Sequence, residues 1–415
     1  MRILYAAPMY APVLGGGELH LQETSERLVA RGHLVTVLAA NVVDGHAAHW
    51  SWDAGFPESE VINGVRVVRF GPRQAWSDRT LDLWLKLPGG RPSVSTVLTP
   101  GGLEFLLYGP RTLPMIGAML RERADVVASM NWHWAVAFYA YLARRIRRFR
   151  LVGIPLFHTA QPWSNRPIYN RMLAACDAVA TMTGHEKSYA ERRGARAAEV
   201  VGAGVSPQEF ERRDGRRIRA RYGLADHPVV GYVGRQQTTK GVAKLIAAMP
   251  KVWRWNPDVR LVLAGHGTPE PEVEAELGSL AAEDRGRVVQ TGRFGKDEKA
   301  SIFDAFDVFA MPSTDESFGI GYLEAWLCKK PVIGARIGST QCVIDEGRDG
   351  LLVDPDNAEE IAGAIVSLLA DRQLRTTMAE AGYAKTIAHH TWDKVTDRME
   401  SLYRRVVGGK PGDGV

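Results

Sequence analysis

Short apolar runs recur along this chain, and a helix-length segment follows almost every one of them. They are RILYAA (2–7), LVTVLAA (34–40), VRVVRF (65–70), DVVASM (125–130), LVGIPLF (151–157), AVATM (178–182) and EVVGA (199–203). After a gap the series resumes with VVGYVG (229–234), RLVLAG (260–265), VVQTG (288–292), VFAMPS (308–313), PVIGA (331–335) and GLLVD (350–354). None of these runs alternates strictly between polar and apolar, so each reads as a strand buried on both faces. Strands of that kind separated by helices predict parallel, doubly wound α/β sheets.

The first unit of the pattern is complete. Pro8 and Pro12 end the first strand, Gly15-Gly16-Gly17 forms a turn, a helix is expected from about Glu18 to Arg31, and Gly32 stops it. The turn lacks the G-x-G-x-x-G spacing of dinucleotide binders, which disfavours a nicotinamide or flavin cofactor. Residues 41–64 read as irregular, and 71–115 as a poorly patterned stretch, either a binding loop or a variable insertion.

A chain of 415 residues favours two domains. Apolar content falls and arginines cluster over 204–228, which marks the junction. The expected division is 1–205, 206–390, a last helix over 391–408 that returns to the first domain, and a disordered tail, 409–415.

A net charge of +5 is too mild to argue for nucleic acid. Three widely spaced cysteines fit a reducing compartment better than a disulfide framework or a zinc site. No stretch approaches the roughly 18–20 apolar residues of a membrane span, and no signal peptide is evident, so a cytoplasmic location is expected. The arginines at 144–150 and 212–221 read either as solvated faces or as a peripheral contact with an anionic membrane.

The chemistry concentrates in residues 308–336. A strand leads through a turn into a helix expected to start near Phe318, with Glu316 before it and Glu324 inside it. The first amides of such a helix, at Phe318, Gly319 and Ile320, attract anions, and Gly319 and Gly321 admit a ligand close to the backbone. Phosphate together with sugar hydroxyls would suit this arrangement; a capped turn with a solvated glutamate is the alternative. Arg235 and Lys240 flank the turn after the first strand of the second half, either as a diphosphate clamp or as two solvated cations. His158 follows an apolar strand, where it could relay a proton or pack under Trp163; His133, between two tryptophans, and His20 favour structural roles. Asp354-Pro355-Asp356 reads as turn and cap and not as a metal site. The motifs of zinc peptidases, P-loops and α/β-hydrolases are missing.

Taken together, the segments resemble the family 4 (group 1) retaining glycosyltransferases over nearly the whole chain. The first half matches through P-x-x-G-G-x-E (Pro12 to Glu18), GHLVTV and the His158 tip. The second half matches through GR-x(4)-KG (Gly234 to Gly241), the LAGHG turn, Glu316 to Glu324, EAWLCKKPVIGA and DGLLVDP. The resemblance implies a GT-B fold, two Rossmann-like domains facing a cleft, and a nucleoside-diphosphate sugar as co-substrate with neither cofactor nor metal. It implies that Arg235 and Lys240 hold the diphosphate and Glu324 the ribose, and that Glu316 with the amides of Phe318 to Ile320 holds donor sugar and phosphate. Gly15 and Gly16 would approach the phosphate, Arg293 and Phe294 would lie near the base, and His158 would meet the transferred sugar, with His133 a weaker acceptor contact. Gly338–Cys342 and Lys329-Lys330 depart from the family pattern, which leaves acceptor and interface details open. The expected activity is hexosyl transfer to a glycan, lipid-linked or small-molecule acceptor. The alternatives are a sugar-nucleotide epimerase and a non-catalytic nucleotide-sugar-binding subunit.

Overall fold

In a computed structural model of the chain, the described residues are 1–13, 15–46, 49–52, 55–71, 109–110, 112–265 and 269–409. Most of the 71–115 stretch, His266 and Gly267 of the LAGHG turn, and the tail beyond 409 lie outside them. Two compact units emerge. One comprises Met1–Gly202 with the chain from Val395 onward; the other is Ala203–Lys394.

The first unit is built on an eight-stranded sheet in the order β10-β9-β8-β7-β1-β2-β6-β5. Its strands are β1 (Arg2–Ala6), β2 (Leu34–Ala40), β5 (Ser59–Ile62), β6 (Val65–Phe70), β7 (Val126–Met130), β8 (Leu151–Ile154), β9 (Ala178–Thr181) and β10 (Ala198–Val200). All pairs are parallel except β5 with β6. The stretch 41–64, expected to be irregular, contains β5 and a separate hairpin of β3 (Val42–His46) and β4 (His49–Trp52). β5 is an edge strand whose residues alternate between exposed and half-buried, so it lacks the apolar run that marks the central strands. β8 is shorter than its apolar run because Pro155 brings no N–H to the ladder.

Around this sheet lie α1 (Gly16–Ala30), α2 (Pro114–Arg121), α3 (Ala135–Ile146), α4 (Ile168–Ala175) and α5 (Gly184–Arg192). A buried cluster joins Trp132, Phe157 and Tyr169 to α2, α3 and α4. Gly153 is needed there, because a Cβ on it would come within 2.5 Å of the Trp132 ring.

The second unit has six parallel strands in the order β13-β12-β11-β14-β15-β16. They are β11 (Val229–Val233), β12 (Arg260–Ala264), β13 (Val288–Gly292), β14 (Val308–Met311), β15 (Val332–Ala335) and β16 (Gly350–Val353). Its helices are α6 (Gly215–Arg221), α7 (Val242–Trp255), α8 (Pro271–Ser279), α9 (Ala282–Arg285), α10 (Lys299–Asp304), α11 (Ile320–Leu327), α12 (Ala358–Ala370) and α13 (Arg372–His389). The last helix, α14 (Trp392–Gly408), belongs to the first unit from Val395 on, where the Tyr403 hydroxyl donates to that of Tyr5 at 2.9 Å.

Each sheet has one switch point where the strand order reverses. In the first it lies between β1 and β7, in the second between β11 and β14. Ligands of doubly wound sheets bind beyond the carboxyl ends of the strands at such points. Gly15, Gly16 and His133 follow β1 and β7; Arg235, Lys240 and Glu316 follow β11 and β14.

Candidate active site

The second unit's switch point is made of two turns tied together. After β11, the chain passes Arg235 and a single 3-10 turn, Thr238–Lys240, before α7. After β14 it passes Ser313, Thr314 and Asp315. The amide of Thr314 and the hydroxyl of Ser313 both donate to the Thr239 carbonyl, at 3.0 and 2.8 Å. Gly241 makes this approach possible: its φ is +72°, and any Cβ would collide with the Pro312 carbonyl.

The turns place Lys240 Nζ 2.7 Å from Glu316 Oε1, with 19% and 9% of the two side chains exposed. Lys240 is thus half-buried and paired, not the exposed cation that its place in a polar turn suggested. Ser339 also fixes the Glu316 backbone, its hydroxyl donating to the Glu316 carbonyl at 2.5 Å. Arg235 is exposed, while its own carbonyl accepts from the Tyr232 hydroxyl at 2.7 Å. The Tyr232 phenol is pushed up by burial and then by Glu316, and eased down by Arg235, so both charges lie near one ring.

Helix α11 opens on Gly319, whose φ of +93° delays the start to Ile320, and no side chain caps it. Helices α1, α3 and α7, which also follow switch-point strands, likewise lack side-chain caps, as do α2, α4, α8, α9 and α10 elsewhere. The caps that are present, Thr183, Asp214, Asn357 and Asp371, open α5, α6, α12 and α13. A helix start left without a cap presents polar amides to a ligand. Gly319 and Gly321, read from the sequence as openings for a ligand, are also required by packing. A Cβ at Gly319 would strike the Tyr322 ring, and one at Gly321 would come within 3.2 Å of Phe309.

Glu324 is buried on α11 and not solvated. Its Oε1 accepts from Lys299 Nζ at 2.6 Å. Lys299 also lies 3.9 Å from Glu209 and over the Phe210 ring. Nothing local in the sequence marks Lys299, since its partner is 25 residues away. Arg293 and Phe294 follow β13, Arg293 exposed and Phe294 half-buried, with no hydrogen bond tying either side chain to the Lys240–Glu316 pair. Asp354 is spent on its turn, accepting from the Asp356 amide at Oδ1 at 2.9 Å, while the Asp356 carboxylate pairs with Lys244 at 3.1 Å. Among the described residues no acidic, histidine and cysteine cluster could hold a metal ion.

In the first unit, Gly15 is the extended residue before α1, and Gly16 opens it. Gly17 packs close to Asn131 and Leu156, where a Cβ would lie 3.0 Å from both side chains. Asn131 and Leu156, at the exits of β7 and β8, have φ of +56° and +54°. Asn131 Nδ2 donates to the buried Glu18 at 3.2 Å. Beyond Leu156, Glu186 Oε1 accepts from the Phe157 amide at 2.8 Å and its Oε2 from the Met182 amide at 2.6 Å. Burial pushes the Glu186 carboxyl up to about 7, against the pull of these amides and of His158. The Thr-x-x-Glu spacing at Thr183 and Glu186 marks a helix start, which Thr183 caps, but nothing local in the sequence shows that Glu186 reaches the turn before His158.

His133 and His158 come together. Burial pushes His133 down to about 3, and the charges of His158 and Arg166 add to that. His133 is therefore neutral near pH 7, its ring tilted by 51° against that of Trp134 with centroids 4.4 Å apart. His20, read as packed or exposed, is buried, with Nε2 3.2 Å from the Gly202 carbonyl.

The basic run after α3 is largely consumed within the protein. Arg144 pairs with Asp177 at 2.8 Å, Arg147 donates to the Leu120 carbonyl at 2.6 Å, and Arg150 lies 3.6 Å from Asp177. Arg145 and Arg148 remain exposed. No helix among the described residues is long and apolar enough to cross a membrane.

Two family models match the chain. One, described as glycosyl transferases group 1, covers residues 227–371, and the other, a glycosyl transferase 4-like domain, covers 15–205. Among curated proteins, the chain is 29% identical to the alpha-D-kanosaminyltransferase of Streptomyces kanamyceticus, over 82% of this chain and 95% of that one. It is 27% identical to a GDP-mannose-dependent alpha-(1-6)-phosphatidylinositol monomannoside mannosyltransferase of Mycobacterium tuberculosis, over 97% and 98%. Among solved structures, sucrose-phosphate synthase from Thermosynechococcus elongatus superposes with a TM-score of 0.77 at 21% identity, covering 99% of this chain and 100% of that one. Anabaena HepE in complex with UDP and glucose gives a TM-score of 0.73 at 20% identity, covering 97% and 99%. The two sheets and these matches agree: the chain belongs to the group 1 glycosyltransferases and has the GT-B fold.

Proposed function

We propose that this glycosyltransferase moves a hexosyl group, with retention and without a metal, from a nucleoside-diphosphate sugar to an acceptor hydroxyl. The observation that carries the reading is the Lys240–Glu316 pair beside exposed Arg235 and the uncapped start of α11. A diphosphate drawn to that helix start would take over Lys240 from Glu316 and gain Arg235. Two fixed cations then stabilise the departing diphosphate, the task a divalent ion performs elsewhere. Glu316, released, is free to accept from sugar hydroxyls, and Glu324 from the ribose. For retention, the acceptor attacks the oxocarbenium-like carbon from the face the diphosphate leaves, and a β-phosphate oxygen takes the acceptor proton. Gly15, Gly16, His158 and, more weakly, His133 are assigned to the ligands on the resemblance alone, as are Arg293 and Phe294.

HepE, solved with UDP and glucose, supports a uridine donor, and the mannosyltransferase relative, named GDP-mannose-dependent, supports a guanosine one. The relatives' names span a phosphatidylinositol monomannoside mannosyltransferase and a D-inositol 3-phosphate glycosyltransferase, which supports lipid-linked and small-molecule acceptors alike. The test is a thermal-shift screen of UDP- and GDP-sugars, followed by proton NMR of the product with the donor that raises Tm most. An α-linked product from an α-linked donor is expected. An inverted product, or an epimerised donor in the absence of acceptor, would sink the proposal.

A further inference from the structure

At the opposite end of the second sheet from Arg235 and Glu316, the surface folds into a cavity of about 670 Å³. Pro228 and Asp307, the residues immediately before β11 and β14, form part of its wall. Arg216, Arg219 and Ala220 of α6, Asp226, and Leu369 and Arg375 at the junction of α12 and α13 line it as well. A five-residue strand spans about 17 Å, so this hollow is separate from the residues assigned to the donor. Its size falls in the range of about 300–1,000 Å³ that small-molecule sites occupy.

The charges around it divide into spent and unspent. Arg219 Nη2 donates to Asp307 Oδ2 at 2.8 Å and its Nη1 to the His227 carbonyl at 2.9 Å, while Asp307 Oδ2 also accepts from the Val229 amide at 2.8 Å. That pair holds the wall together. Arg375 is anchored through Nη1 alone, which donates to the Leu368 and Leu369 carbonyls at 2.8 and 2.5 Å. Its Nη2 is left for a ligand. Arg216 and Asp226 are exposed, and neither makes a hydrogen bond or ion pair with a described residue.

We propose that this cavity is a second ligand site for a small phosphorylated polyol, a sugar monophosphate in class. Arg216 and Arg375 receive the phosphate, for which guanidinium forks are suited. Asp226 accepts from sugar hydroxyls, and Ala220, Pro228 and Leu369 cover the apolar face of the ring. A bare anion would leave Asp226 without a partner, and a neutral sugar would leave both arginines without one. The site does not depend on the donor chemistry proposed above.

The test uses the full chain with glucose 6-phosphate as the probe, and with inorganic phosphate and glucose as controls, by titration calorimetry. Wild type is expected to bind glucose 6-phosphate more tightly than either control. Binding is expected to weaken about tenfold or more in Arg216→Gln/Arg375→Gln and in Ala220→Trp, which fills the mouth. It should persist in Lys240→Met. Using both Ala220→Trp and the double variant guards against one of them failing to fold. No binding to wild type, equal binding to the variants, loss in Lys240→Met, or equal binding of inorganic phosphate would each overturn the proposal.

Discussion

At the switch point of the second sheet the chain turns on glycines: Gly234, Gly241 and Gly319 all have positive φ. At the carboxyl end of the first sheet the left-handed non-glycine residues are Asn131, after the switch-point strand β7, and Leu156, after its neighbour β8, each next to a turn that carries a histidine. A left-handed side-chain-bearing residue costs about 1–2 kcal/mol, less for asparagine. The first unit offsets that cost with buried carboxylates, Glu18 on Asn131 and Glu186 on the turn after Leu156. The second unit instead pairs its charges, Lys240 with Glu316 and Lys299 with Glu324. One switch point is thus shaped by backbone permissiveness and ion pairs. The other is shaped by strain held in place by buried acceptors.

The sharpest way to break this contrast is Lys240→Met. If the Lys240–Glu316 pair serves the ligand, turnover should fall by about 10²–10³-fold with little loss of Tm. An unchanged kcat/KM, measured at subsaturating donor, would reduce the pair to a structural tie. Gly241→Ala tests the permissive backbone. The methyl has nowhere to go beside the Pro312 carbonyl, and stability should drop by about 3 kcal/mol or more in urea unfolding. Asn131→Gly in the first unit should change stability far less, because lost strain and a lost hydrogen bond oppose each other.

Acid should weaken the first unit before the second. His20, pushed down to about 4 by burial, and His133, pushed down to about 3, bind protons more readily when unfolded. Their contribution is whole above the ordinary histidine value of 6.5 and is lost as pH falls below it. His185, also lowered, adds to this. Glu186 acts the other way, since the fold holds its proton up to about pH 7 while the unfolded chain releases it above 4.5. The net loss is about 1–2 kcal/mol per pH unit between roughly pH 6 and 5. Hydrogen exchange should therefore show α1 and β7 losing protection ahead of β11 and β14. Equal loss in both units would refute the assignment. A smaller effect than at Gly241 is expected from Lys299→Met, which takes its cation from the buried Glu324. It should cost about 1–2 kcal/mol of stability and weaken binding of UDP or GDP in calorimetry. Tighter nucleotide binding would mean that Lys299 merely masks Glu324.

The same contrast explains what could be read in advance. Parallel central strands announce themselves as apolar runs, and both sheets were legible from them. β3, β4 and β5 were not, being short, antiparallel and outside the buried core pattern. Lys240 and Glu316 were legible because they stand at fixed offsets from strand ends and glycines, though their pairing was not. Lys299, Glu186 and the meeting of His133 with His158 depend on residues brought together from separate elements. A sequence states which side chains are present at such places, but only packing decides which of them face each other.

The first unit's central strand turns its Tyr5 hydroxyl to Tyr403 of the last helix as well as to Thr24, and Arg398 reaches back to the Val201 carbonyl at 2.8 Å. During synthesis on the ribosome, the amino-terminal half therefore lacks these contacts until the last helix emerges. The middle of the chain, released earlier, can fold to completion while its predecessor is still unfinished.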